Sequence, residues 1–172
     1  FEDLKKEPDR KQKLFQRYEE ELELADIVLC GSKFVKTSCV EFGADKRKLK
    51  VLPYGVEVEK FNNRDKIYNM SSRGVHFVFI GAFGYRKGAD ILLRVWRKIK
   101  SEFPECSLTV FGSVQIDVSQ YSHIIDFRGH VSQNEMIQIC WNKDVLVFPS
   151  SFEGSSLSIY QAMAMKLTVL TT

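Results

Sequence analysis

Along the chain, apolar positions follow two patterns that alternate: helical spacing every three to four residues, and short continuous runs. KQKLFQRYEEELELAD has the first, with Leu14, Tyr18, Leu22 and Ala25 on one side, and predicts an amphipathic helix. IVLCGS is a short apolar strand. KFVKTSCVEFG predicts a second helix ending at Gly43, suited to a left-handed cap, and KLKVLPYG predicts the next strand. These make one strand–helix–strand unit before about residue 60.

The pattern then changes. Glu59 to Gly74 is polar, rich in Asn and Ser and without apolar period, and reads as a linker. Beyond it lie VHFVFIGAF, CSLTVFGS, IIDFRGHV, DVLVFPSS and LTVLTT. Each is a nearly continuous apolar run, as expected of parallel strands buried on both faces. RKGADILLRVWRKIKSEF separates the first two and predicts a covering helix with Ile91, Leu92, Val95, Trp96, Ile99 and Phe103 in a single stripe. The piece from Val75 onward therefore reads as α/β, a doubly wound parallel sheet whose ligands would sit at the carboxyl ends of the strands.

Composition narrows the function. With 172 residues the chain can bury a sizeable core, or form one domain and part of another. Its net charge is only +3, and basic residues are interleaved with acidic ones in FEDLKKEPDRKQKLFQRYEEELE, so no nucleic-acid partner is expected. The cysteines, at 30, 39, 106 and 140, have neither paired spacing nor a nearby histidine, which fits a reduced, cytoplasmic setting without a zinc site. No apolar run reaches spanning length, so a membrane role is expected only as peripheral contact. The chain opens without methionine and stops at LTVLTT, and is expected to be part of something longer.

Three strand ends carry candidate chemistry. The first leads into GAFGYRKG, where Gly81, Gly84 and Gly88 allow close backbone approach and Arg86 and Lys87 stand at the start of the long helix. Cations at a helix amino end oppose its dipole, and a bound anion would remove that conflict. The second is FPSSFEGSSLSIYQAMA. Ser155 and Ser156 are expected to cap a helix beginning near Leu157, whose free N–H groups would face the crevice, and Glu153 just ahead of it could accept hydrogen bonds from ligand hydroxyls. Gln161, four residues past Leu157, would point partly toward the sheet, where a buried amide needs partners. In the third, FRGHV, Arg128 and His130 bracket Gly129, and the backbone around His130 and Val131 could hold a flat base.

In order, ELADIVLCGSKFVK, KLKVLPYGVEVEKF, FIGAFGYRKGADILLRVW, LTVFGS, IDFRGHVSQNEMIQI and DVLVFPSSFEGSSLSIYQAMAMKLTVLTT resemble the group 1 (family four) retaining glycosyltransferases of GT-B fold, over nearly the whole chain from about Glu20. The resemblance implies two Rossmann-like domains: residues 1–58 closing an acceptor-side domain, 59–74 a linker, and 75–172 an incomplete donor-binding domain. It implies transfer of a hexose from a nucleoside diphosphate sugar to an acceptor hydroxyl of a sugar, glycolipid or polysaccharide, with retention and with no cofactor beyond the donor. Glu153 would grip the donor sugar and Lys87 its phosphates, both as catalytic groups. The backbone from Ser155 to Leu157 would hold the pyrophosphate, and Gln161 would stand where a second family glutamate holds ribose hydroxyls. The arginine usual after Gly81 is Ala82 here, with Arg86 a candidate substitute. No Asp-x-Asp pair occurs, so metal dependence is not expected. Peripheral contact with the inner face of the membrane would fall to the first domain. The alternative is a non-catalytic sugar-nucleotide-binding relative, a sensor or assembly partner, with Gln161 and Ala82 as marks of a decayed site.

Overall fold

A computed structural model of the chain describes residues 8–62 and 74–172. It divides between Tyr54 and Gly55 into two compact units.

In the first unit, helix α1 (Pro8–Leu24) precedes strand β1 (Val28–Cys30), helix α2 (Lys33–Glu41) and strand β2 (Leu49–Val51). The strands pair in parallel with Val28 opposite Leu49, as a strand–helix–strand connection requires. Ser32 caps α2, its side chain accepting from the Val35 amide at 3.1 Å. Gly43 follows at φ +92°, the expected left-handed residue. Lys36 extends back to the Leu49 carbonyl (2.9 Å), and Lys48 to that of Glu23 (2.6 Å).

The second unit starts a few residues ahead of the expected boundary after residue 58. Its first helix, α3 (Val58–Phe61), buries Phe61 in this unit's core, and Trp141 donates its indole N–H to the Phe61 carbonyl at 3.2 Å. Residues 63–73, most of the expected linker, lie outside the described residues. Then follow β3 (His76–Ile80), α4 (Ala89–Glu102), β4 (Ser107–Phe111), β5 (Asp126–Gly129), α5 (Gln133–Cys140), β6 (Val145–Phe148), α6 (Leu157–Ala164) and β7 (Thr168–Thr171). The five strands form one parallel sheet in the order β5-β4-β3-β6-β7. From β3 the chain winds outward through β4 and β5, returns through α5, and continues through β6 and β7 on the other side. The direction of winding reverses between β3 and β6, and the carboxyl ends of two such neighbours are where doubly wound folds place their ligand crevice.

Core packing sets where those ends lie. Phe79 of β3 meets Phe83 edge-on at 5.0 Å between centroids and stacks on Phe148 of β6 at 6.0 Å, while Phe83 meets Phe127 of β5 at 5.6 Å. Burying each such ring contributes about 1.5–3 kcal/mol. Two sequence expectations are corrected here. In α4 the buried residues are Ala89, Leu92, Leu93 and Trp96, whereas Ile91, Val95 and Phe103 are about half exposed. The helix carries apolar residues around more of its circumference than the sheet covers, and the tertiary fit selects the side bearing Trp96, whose N–H reaches the Ile124 carbonyl (3.0 Å). The outer strands β5 and β7 are not buried on both faces either, because an edge position covers them less fully.

At the amino ends of the strands, away from the crevice, Asp144 pins three of them. Its carboxylate accepts from the His76 amide (2.8 Å), its own amide donates to the His76 carbonyl (2.8 Å), and its carbonyl receives the Thr168 amide (2.9 Å). At 1% exposure, water cannot replace these bonds. Asp144→Ala leaves the His76 N–H without its acceptor and is expected to cost about 1–3 kcal/mol. The check is a urea titration, in which the midpoint should fall at unchanged m-value.

Candidate functional site

Two loops face the crevice where the winding reverses. The first leaves β3 at Gly81, whose amide bonds the Phe111 carbonyl (2.9 Å), and tightens into a 3-10 turn at Tyr85–Lys87. Gly88 then opens α4 in the left-handed region, φ +70°. The second runs from Pro149 to Ser156, between β6 and α6. The loops touch at Gly88, where a Cβ would stand 2.0 Å from the Pro149 carbonyl oxygen. Close backbone approach was expected of this glycine toward a ligand; it is made toward the other loop.

The Arg86 carbonyl stitches the loops further. It accepts from the Ser151 amide (3.0 Å) and Ser151 Oγ (2.9 Å), with Ser150 Oγ at 3.3 Å. Side chains complete the junction: Arg86 Nη1 donates to the Phe152 carbonyl at 2.9 Å and to Glu153 Oε1 at 3.1 Å. Lys87 Nζ donates to the same Oε1 and lies 4.6 Å from the centre of the Phe148 ring. Ser150 Oγ stands 2.6 Å from that oxygen as well. Three donors thus converge on one carboxylate oxygen, and Oε2 has no partner among the described residues.

The charges agree with this geometry. Burial pushes the Glu153 carboxyl up, but the hydrogen bonds from Lys87 and Ser150 and the charges of Lys87 and Arg86 outweigh it, leaving the group more acidic than a free glutamate. Glu153 is therefore ionised at neutral pH. Two cations near the start of α4 were expected to call for an anion. The protein supplies one.

Helix α6 begins at Leu157, as the sequence predicts, but neither expected serine caps it. Ser156 occupies the cap position without a side-chain bond, and Ser155 Oγ pairs with the Tyr160 hydroxyl at 3.2 Å. Tyr160 competes for the hydroxyl and leaves the opening amides of the helix to be met from outside. Gln161 is half-buried, and no hydrogen bond joins its side-chain amide to another of the described residues. His130 is exposed just past β5, Val131 packs partly against the core, and Arg128 pairs with Asp126 (2.8 Å) rather than with the crevice loops. The structure thus brings Arg86, Lys87 and Glu153 together; no hydrogen bond or ion pair among the described residues joins His130, Val131 or Gln161 to them. Sequence reasoning missed Ser150 and Ser151, whose one signal was a pair of hydroxyls between a buried strand and the acidic corner. No group of three or more His, Cys, Asp or Glu among the described residues is arranged to hold a metal, and no helix among them is long and apolar enough to cross a membrane.

A parallel α/β sheet whose strand order reverses is shared with nucleotide-binding doubly wound folds, which hold their ligands at that reversal. The profile of the family described as Glycosyl transferases group 1 matches residues 74–172, more than half of the chain, which belongs to that family. An uncharacterised glycosyltransferase of Methanocaldococcus jannaschii is 26% identical over 161 residues, covering 83% of this chain and 40% of the relative. The D-inositol 3-phosphate glycosyltransferase of Paenarthrobacter aurescens is 25% identical over 148 residues, covering 76% and 36%. The chain thus spans about two fifths of the length of these relatives. Among solved structures, Anabaena HepE in complex with UDP-glucose superposes with a TM-score of 0.70 at 14% identity, over 88% of this chain and 46% of that one. The pneumococcal O-GlcNAc transferase GtfA, with UDP and GlcNAc, gives 0.67 at 16% identity, over 90% and 32%. The fold is the Rossmann-like α/β architecture of GT-B glycosyltransferases.

Gly88→Ala tests whether the two loops must touch. A Cβ in the left-handed region costs about 1–2 kcal/mol before any clash, and here it also meets a backbone oxygen. The variant is expected to melt several degrees lower, and calorimetric melting of both proteins checks it.

Proposed function

We propose that this chain is the donor-binding part of a retaining, metal-independent glycosyltransferase that moves a hexose from a nucleoside diphosphate sugar to an acceptor hydroxyl. The observation that carries the reading is the meeting of Lys87, Arg86 and Glu153 at the strand-order reversal. In the proposed complex the diphosphate takes Lys87 and Arg86 from Glu153, and the opening amides of α6 face its oxygens. The carboxylate, released from part of its load, accepts from hydroxyls of the sugar. Bond cleavage through an oxocarbenium-like state builds charge on the departing diphosphate, and the two cations and the helix end are placed to stabilise it. Gly81, His130, Val131 and the segment Ser155 to Leu157 complete the donor surface in this reading, and Gln161 meets the ribose.

Residues up to Tyr54, most of the 1–58 expected for it, would belong to the acceptor-side domain, with a sugar, glycolipid or polysaccharide as acceptor and the cytoplasm, including the inner membrane face, as location. The bound UDP and sugars named for the solved relatives support a nucleotide-sugar donor here. A second reading, a sugar-nucleotide sensor without turnover, draws on the unbonded amide of Gln161 and on Ala82. Transfer and hydrolysis assays on the intact protein with a panel of nucleotide sugars separate the two: turnover supports the enzyme, binding without turnover the sensor.

Lys87→Ala is expected to weaken a nucleoside diphosphate by roughly 1.5–3 kcal/mol, about ten- to 150-fold, while changing binding of the nucleoside little. Titration calorimetry with both ligands decides it, and an equal loss for both would make Lys87 a structural residue.

Gln161→Glu is expected to tighten a ribonucleotide donor by roughly 1–2 kcal/mol, about five- to thirtyfold, because a carboxylate can accept from both ribose hydroxyls. The 2′-deoxy donor should gain less. Donor affinity and melting temperature measured together check this; a destabilised variant with unchanged ribose discrimination would remove Gln161 from the ribose site.

A further inference from the structure

Ser150 is 7% exposed, at the end of β6. Its hydroxyl has one proton and three acceptors within reach: Glu153 Oε1 at 2.6 Å, the Arg86 carbonyl at 3.3 Å and the Phe152 carbonyl at 3.4 Å. The shortest contact, to an ionised oxygen, takes the proton. The other two donors on Oε1 are cations, and the proposed function needs those cations for a diphosphate. Ser150 differs from them in being neutral, buried and fixed to backbone that is itself tied down: its carbonyl accepts from Thr172 Oγ1 at 2.7 Å, and the next residue bonds the Arg86 carbonyl. It cannot follow the cations to a phosphate.

We propose that Ser150 is a positioning residue: it keeps Glu153 Oε1 in place while Lys87 and Arg86 move to the diphosphate, so that Oε2 stays presented to the sugar. This rests on the reading of Glu153 as the sugar-gripping carboxylate. Phosphate recognition and sugar recognition then share one carboxylate but not one anchor. Loss of the hydroxyl leaves the resting cluster intact, since two cations still hold Oε1, and acts only once those cations are engaged. A carboxylate deprived of this donor also protonates more readily.

The experiment measures how much the sugar adds to affinity, as the ratio of dissociation constants for UDP and UDP-glucose and for GDP and GDP-mannose, on the intact wild type, Ser150→Ala, Ser150→Cys and Glu153→Gln. The cysteine variant preserves side-chain size with a weaker donor, and melting curves confirm folding. Ser150→Ala and Ser150→Cys are expected to bind UDP or GDP within about twofold of wild type, and to lose about tenfold of the affinity the sugar adds. The pH below which the sugar's contribution disappears should rise in both. If Glu153→Gln abolishes that contribution while both Ser150 variants keep it at an unchanged pH limit, Ser150 is not the anchor and the proposal fails with the Glu153 reading intact. A parallel loss of UDP and UDP-glucose binding in the Ser150 variants overturns it too, since a merely structural residue gives that result. If Glu153→Gln leaves the sugar's contribution unchanged, or wild type shows none with either pair, the underlying reading of Glu153 falls, and the proposal with it.

Discussion

The charged side chains of the crevice converge on one carboxylate oxygen. Glu153 Oε1 receives Lys87 and Arg86 from the loop after β3 and Ser150 from its own loop after β6, and so adds a side-chain junction to the bonds that the Arg86 carbonyl already makes between these loops. Surface ion pairs contribute little because water screens them and long side chains lose freedom on pairing. Here the lysine is mostly covered and rests against Phe148, a ring locked in the sheet by its stack on Phe79. Position in the core is therefore passed to the charge through one aromatic side chain. That makes the cluster a feature of the fold rather than a chance surface contact.

Its electrostatic sense is equally constrained. The turn that carries Arg86 and Lys87 leads directly into the amino end of α4, where positive charge is unfavourable. Glu153 offsets it, and its own carboxyl is held ionised by the same neighbours against the cost of burial. An anion that drew Lys87 or Arg86 away would take it from this carboxylate, which would couple anion binding at these two cations to the freedom of the Glu153 side chain.

Much of this is legible in the sequence. Continuous apolar runs marked the parallel strands, and Leu157 marked the start of α6, because both follow from local periodicity and from which side chains a buried strand tolerates. Selection among equivalent faces was not legible. Ile91 and Val95 are as apolar as Leu92 and Leu93, and only the sheet beneath decides which pair is covered. Capping failed for a related reason: Ser155 has a suitable hydroxyl, but Tyr160 competes for it one turn later. Charges were read individually along the chain, so Arg86, Lys87 and Glu153 were each picked out, while their mutual neutralisation depends on a register between β3 and β6 that no single stretch encodes. Ser150 escaped because a serine next to a proline at a strand end has many ordinary explanations, and its meaning comes from a side chain three residues on.

Ala82 and Gln161, the two positions at which the resemblance implies other residues, bear differently on this cluster. Around Ala82 the backbone is fixed on both sides, since the Gly81 amide bonds the Phe111 carbonyl and the Phe83 amide the Ser113 carbonyl at 2.7 Å. The loop path thus rests on hydrogen bonds that no side chain at position 82 supplies. Four residues later, Arg86 brings a guanidinium to the Phe152 carbonyl and to Glu153, at the same crevice. Gln161 is another matter. It stands on α6, and among the described residues neither a hydrogen bond nor an ion pair joins it to Arg86, Lys87 or Glu153, so the Lys87–Glu153 junction does not depend on its side chain for a partner.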